Sequence, residues 1–192
     1  MANSEVSSYL SVLISIVIGF GMAQILAAAV RVVHHRRTTP LYWPTVLWAI
    51  NLFVLLTLVW WSDFSLIHHD RWTFAMFLTT LAIPAVLYIN AALILPGSER
   101  AAGEPMRAAF EDNRRPFFIL QSLAIALSFL ATYLTDGSIK FDIDAALKLG
   151  ILAVTLVPIF VKSEPVQKTV AVVNFAWLLF YVSLLFANVR AG

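Results

Sequence analysis

Six stretches of the chain are almost continuously apolar: Tyr9–Val33, Trp43–Trp61, Trp72–Leu95, Phe117–Leu134, Ala145–Val161 and Val170–Val189. A hydrocarbon core of roughly 30 Å is crossed by about 20 such residues in a helix. Each stretch therefore predicts a transmembrane helix, the fifth at the lower length limit. The expected class is all-α, a polytopic six-helix transmembrane bundle forming one domain over residues 1–192. Stop signals fall between the stretches. Pro40 and Pro44 precede or open the second span, and Asp70 is placed to cap the third. Pro96-Gly97-Ser98 ends the third, Thr135-Asp136-Gly137 ends the fourth, and Ser163-Glu164-Pro165 precedes the sixth. The first span is read as a retained helix, not a signal peptide. It has no Lys or Arg ahead of it, is too long for an h-region, and is followed by Arg31, Arg36 and Arg37.

The loops set an expected direction. The first holds Arg31, Arg36 and Arg37, the third Arg100, Arg107, Arg114 and Arg115, and the fifth Lys162 and Lys168. The opposite side holds only Arg71, Lys140, Lys148 and Arg190. The Lys/Arg bias puts the odd loops in the cytoplasm. Both termini are then non-cytoplasmic, and an even number of spans agrees in requiring them to share a side. The loop Pro96–Pro116 is long enough for structure of its own. Glu104–Glu111 reads as a short helix start with Met106, Ala109 and Phe110 on one face, either solvated or lying on the membrane surface.

Composition agrees with this class. Apolar residues make up 60% of the chain and charged residues 12%, against about 25% in soluble domains. Mean hydropathy is +0.84. An ordinary soluble domain and a disordered chain are both excluded. No cysteine is present, which removes disulfides, thiolate chemistry and Cys-ligated metal or iron–sulfur sites. The net charge of +2 is dispersed, so no nucleic-acid partner is expected. Membrane lipids are the expected surroundings, and short loops with a Lys/Arg bias fit a bacterial inner membrane. Trp60, Trp61 and Trp72 suit one interface, Tyr42 and Trp43 the other.

The most regular pattern is a stripe of small residues on the first span: Ser7, Ser11, Ser15, Gly19, Ala23 and Ala27, each four from the next. Such a stripe lets a second helix approach closely where lipid supplies no hydrophobic drive. The partner is either another span, with Ala124, Ser128 and Thr132 of the fourth as the natural choice, or a second copy in a homo-oligomer. A second pattern concerns depth. At about 1.5 Å per residue, Gln24, Asn51, Asn90, Gln121, Asn174 and Thr155 all fall between the basic-loop interface and the midplane. Two meanings compete: a polar vestibule open to the cytoplasm, or amides that hydrogen-bond neighbouring helices as glue. Pro84 frees the Thr80 carbonyl near the middle of the third span, marking either a plain kink or a helix break of the kind that lines transporter sites.

Ionisable groups are few. Lys148 is the one strongly charged residue well inside a span, with Asp144 one turn earlier on the same face. The pair is either a snorkelling ion pair or an outer gate. Asp63, His68, His69 and Asp70 are a weak candidate for a divalent metal, and none is predicted to bind there. No His lies mid-span, so no haem or other cofactor is expected. Paired intramembrane carboxylates, GxSxG, HExxH and a phosphate-cradling glycine loop are all missing, so no enzyme is expected. Trp177 and Tyr181 share a face of the sixth span and read as core. The best expectation is a transporter or channel for a small polar solute or ion. The alternative is a non-catalytic scaffold or partner subunit that assembles through the small-residue stripe.

Overall fold

The structure is a computed structural model that describes residues 2–35, 37, 40–66, 72–94 and 105–189, without the side chains of 2–8, 63–66 and 185–189. It contains six α-helices: α1 (Ala2–His34), α2 (Trp43–Leu66), α3 (Phe74–Ile94), α4 (Met106–Asp136), α5 (Ile143–Phe160) and α6 (Glu164–Val189). All six are long and apolar enough to cross a bilayer. Local chemistry explains their ends. The Met76 N–H donates to Thr73 Oγ1 at the start of α3, and the Ala145 N–H to the Asp142 carboxylate at the start of α5. Gly137 terminates α4 at φ 71°, a left-handed conformation that glycine adopts without a Cβ penalty.

Two expected boundaries are corrected. The segment around Glu104–Glu111 is not a separate surface helix: from Met106 onward it is the first turns of α4, which continues through Pro116. Met106, Ala109 and Phe110 do share a buried face, but they pack on protein, with the Phe110 ring 5.7 Å from that of Tyr42. A proline inside a helix costs about 3 kcal/mol. Burial of Phe110 on one side of Pro116 and of Phe117 and Phe118 on the other offsets it. Likewise α6 starts at Glu164, with Pro165 in the first turn, where its missing N–H is not needed. The third span is not broken either. Pro84 sits buried inside a continuous α3.

Helices α2, α3, α4, α5 and α6 form a closed ring, each touching the next and α6 returning to α2. Successive helices alternate in direction. The start of α4 meets the ends of α3 and α5 through Asn113 and Arg114, and the start of α5 meets the end of α6 through Asp144 and Tyr181. Helix α1 lies against α2 and α3. The outward surface carries Phe20, Leu26, Ile50, Ile89, Ile119, Leu179 and Phe180, all exposed. Such a surface suits acyl chains rather than water.

The face of α1 that packs is Ile14, Ile18, Gly21, Ile25 and Ala28. The small-residue stripe points elsewhere: Gly19, Ala23 and Ala27 are exposed, Ser11 and Ser15 half-buried, and α1 does not touch α4 among the described residues. Its expected intrachain pairing with the fourth span is therefore wrong. The close approach that small residues permit occurs two positions along. A Cβ on Gly21 would lie 2.8 Å from a Leu56 methyl, whereas one on Gly19 would meet nothing within 4 Å. Gly21→Leu should lower stability by about 1–3 kcal/mol through overpacking, and Gly19→Leu by less than about 0.5 kcal/mol. Reversible unfolding in mixed micelles measures both, and the opposite order would contradict this placement of α1.

Candidate functional site

Four of the six residues expected in a polar layer form two cross-helix pairs. Asn51 Nδ2 (α2) donates to Asn174 Oδ1 (α6) at 2.8 Å, and Asn90 Nδ2 (α3) donates to Gln121 Oε1 (α4) at 2.8 Å. All four are at most 3% exposed. Each pair spends one oxygen and one NH2 and leaves one of each. Asn51 Oδ1, Asn174 Nδ2 and Asn90 Oδ1 are buried without a partner. The other two expected members stand apart. Thr155 is buried but turns its hydroxyl back to the Ile151 and Leu152 carbonyls of its own helix. Gln24 is half-buried on α1, outside the ring.

A cavity of about 640 Å³ rises from these amides. Asn51, Gln121 and Asn174 border it, and its walls are mainly aliphatic, with Ile14, Leu55, Ile83, Ile125, Ile151 and Leu178 among them. Trp177 also borders it. The indole lies against Gly150, where a Cβ would come within 2.6 Å of Trp177 Cζ2, and its Nε1–H has no partner. From Asn51 to Ser62, α2 climbs about 16 Å along the cavity. Lys148, Tyr181, Trp61 and Asp136 border the upper part, with Trp61 and Asp136 exposed. The expected pair is present there: Lys148 Nζ is 2.6 Å from Asp144, whose other oxygen accepts from the Tyr181 hydroxyl at 2.7 Å. Lys148 also sits 5.9 Å from the centre of the Phe129 ring. Thr80, expected beside a helix break, lines the cavity from an intact α3.

The cavity thus occupies the half of the bundle remote from the Lys/Arg-rich loops, and the expected opening toward those loops is not what the residues form. Below the amides the bundle is solid. Trp48 meets Phe117 and Phe118 edge-on at 5.3 and 5.2 Å between ring centres, and Phe118 meets Phe110 at 6.4 Å. Polar groups tie this end together. The buried Arg114 donates to the Val161 carbonyl at the end of α5, where the helix dipole favours a cation. Gln167 donates to the Lys162 carbonyl, and Asn113 to that of Leu93. Arg107 bridges Glu111 and Glu164, and Lys168 also pairs with Glu164.

Four participants escaped the sequence reading. Arg114 passes for a loop charge, Gln167 falls ahead of the expected sixth span, and Trp177 with Tyr181 reads as core although both border the cavity. The seven-residue spacing of Gln167, Asn174 and Tyr181 is the signal that joins two of these positions to the expected Asn174 in one inward stripe of α6. Asp63, His68, His69 and Asp70, together with the cap at Asp70, lie outside the described side chains. The chain matches no protein-family model, no curated protein and no solved structure.

Removing one partner of a buried pair strands the other, whereas replacing both by apolar residues does not. Asn90→Leu should cost about 1–2 kcal/mol. The double variant Asn90→Leu/Gln121→Leu should cost less than the single one. Unfolding measured on both variants checks this, and strictly additive losses would argue against the pairing.

Proposed function

We propose that the chain is a multi-pass membrane carrier that receives a small uncharged molecule in the cavity above Asn51, Gln121 and Asn174. The observation that carries this reading is the cavity's one-sidedness. A channel offers a continuous path, but this path stops at the amide floor over packed Trp48, Phe117 and Phe118. A solute can pass such a floor only if the bundle alternately opens below it. The size supports a bound molecule, since small-molecule sites span about 300–1,000 Å³. Nothing charged stands among the floor residues, which disfavours an ion as cargo because an unpaired charge in apolar surroundings is costly. The basic loops orient the carrier with the sealed end toward the cytoplasm and both termini outside, in a plasma membrane of bacterial type.

The absence of native cysteine makes the test direct. Ala124→Cys places a thiol in the cavity wall. A membrane-impermeant thiol reagent should reach it from the Lys140 side in one vesicle orientation and, more slowly, from the Arg115 side in the other. Labelling from the Lys140 side alone would mean a static pocket and would end the carrier reading. Companion variants Arg37→Cys and Arg115→Cys should label from one face and Lys140→Cys from the opposite face, or the orientation is wrong.

The exposed stripe favours a second reading, a scaffold that self-assembles through α1. Gly19, Ala23 and Ala27 face away from their own bundle, which leaves them available to a second copy. Gly19→Leu meets nothing within its own fold, so it should abolish crosslinked dimers while leaving the monomer folded. Dimers that persist in Gly19→Leu would remove the scaffold reading.

A further inference from the structure

We propose that the cavity binds an elongated, mostly hydrocarbon molecule by an uncharged oxygen-bearing head group, a hydroxyl or a carbonyl, seated on the amides of Asn51, Asn174 and Gln121. The inference deepens the carrier reading and rests on it for how the guest enters and leaves.

Three observations define the guest. First, polar capacity is left over at the floor. The Asn51–Asn174 pair makes one hydrogen bond of the two a facing amide pair can form, leaving Asn51 Oδ1 and Asn174 Nδ2 buried and unpartnered. Turning both amides over exchanges the two roles and still leaves one oxygen and one NH2. Gln121 has given its oxygen to Asn90, so its NH2 is a further donor, and Trp177, which also borders the cavity, keeps an unpartnered Nε1–H. A hydroxyl satisfies such a set because it donates once and accepts twice, and a carbonyl oxygen accepts from two of the N–H groups. Second, no carboxylate, ammonium or guanidinium borders the floor, so a charged head would find no counter-ion there. Third, the walls above are mainly aliphatic over about 16 Å of helical rise along α2 from Asn51 to Ser62, and the Ser128, Thr132 and Thr135 hydroxyls that also border the cavity are spent on carbonyls of their own helix. A sugar-like solute would strand its hydroxyls against Leu55, Ile83, Ile125 and Ile151, whereas an alkyl chain fills the same space with dispersion contacts. The Asp144–Lys148 ion pair and the Tyr181 hydroxyl satisfy one another at the upper wall, so they need not meet the guest's head.

The test uses the full chain in phosphatidylcholine nanodiscs and three probes of one chain length: dodecanol, dodecane and dodecylammonium. Saturable binding above that of empty nanodiscs is read by equilibrium partitioning of labelled probe. Dodecanol should occupy one site per chain at least tenfold more tightly than dodecane, and dodecylammonium should not displace it. The double variant Asn51→Leu/Asn174→Leu should bring dodecanol down to the level of dodecane. Ile151→Trp fills the wall without altering an amide and should abolish both, which keeps the test decisive if the double variant fails to fold. Equal binding of dodecanol and dodecane, displacement by dodecylammonium, or no saturable binding of any probe would overturn the proposal. One-sided labelling of Ala124→Cys with dodecanol selectivity intact would remove the carrier reading alone. Two-sided labelling without selectivity would remove the head-group assignment alone.

Discussion

A carboxamide surrounded by hydrocarbon must find a partner, and this bundle is organised around how four of them do so. Asn51 with Asn174 joins α2 to α6, the seam where the ring of helices closes on itself. Asn90 with Gln121 joins α3 to α4, which pack along much of their length. Two specific bonds help select which faces meet at these seams. Satisfaction is only half complete. Each amide has a donor end and an acceptor end, and a single bond between two of them leaves one of each behind. Three of the residues that hold the ring together, Asn51, Gln121 and Asn174, therefore give the chamber above them its polar floor.

The amide level also divides the bundle into two unlike halves. On the side of the basic loops, aromatic rings meet edge-on and the polar groups are spent on chain ends: Arg114 on Val161, Gln167 on Lys162 and Asn113 on Leu93. The Asn113 and Arg114 contacts bind α4 to the ends of α3 and α5. On the other side the helices enclose space, and the ionisable groups at that level neutralise one another within a helix turn and across to α6. A bundle built this way is stiff at one end and hollow at the other.

Much of the fold was legible because the demand of a bilayer for about 20 apolar residues per helix is a length rule, readable without alignment. The starts of α4 and α6 were less so. Arg107, Arg114 and Pro116 look like loop, yet Phe110 and Phe118 bury their rings on the two sides of that proline and keep the helix running. Facing was the hardest property to read. A helix that is apolar all round carries no amphipathic signal, so nothing in α1 distinguishes the exposed Gly19 from the packed Gly21. That Asn51, Asn90, Gln121 and Asn174 belong together followed from counting along the spans, but their partners did not. The Asn51–Asn174 pairing depends on ring closure between α2 and α6, a contact 123 residues apart in sequence. Asn51, Gln121 and Asn174 reach the chamber, while Gln24 and Thr155 at similar depth do not.

Gly150 gives one of these contacts a wider meaning. The indole of Trp177 rests where any other residue would need to place its β-carbon. Alanine there would push the ring off α5, and the hollow beside it is the open direction for it to swing. The room in the chamber therefore depends on a missing methyl group behind Trp177 as well as on the residues that would touch a guest. Lineages that differ at this one position would admit guests of different girth through an otherwise identical frame.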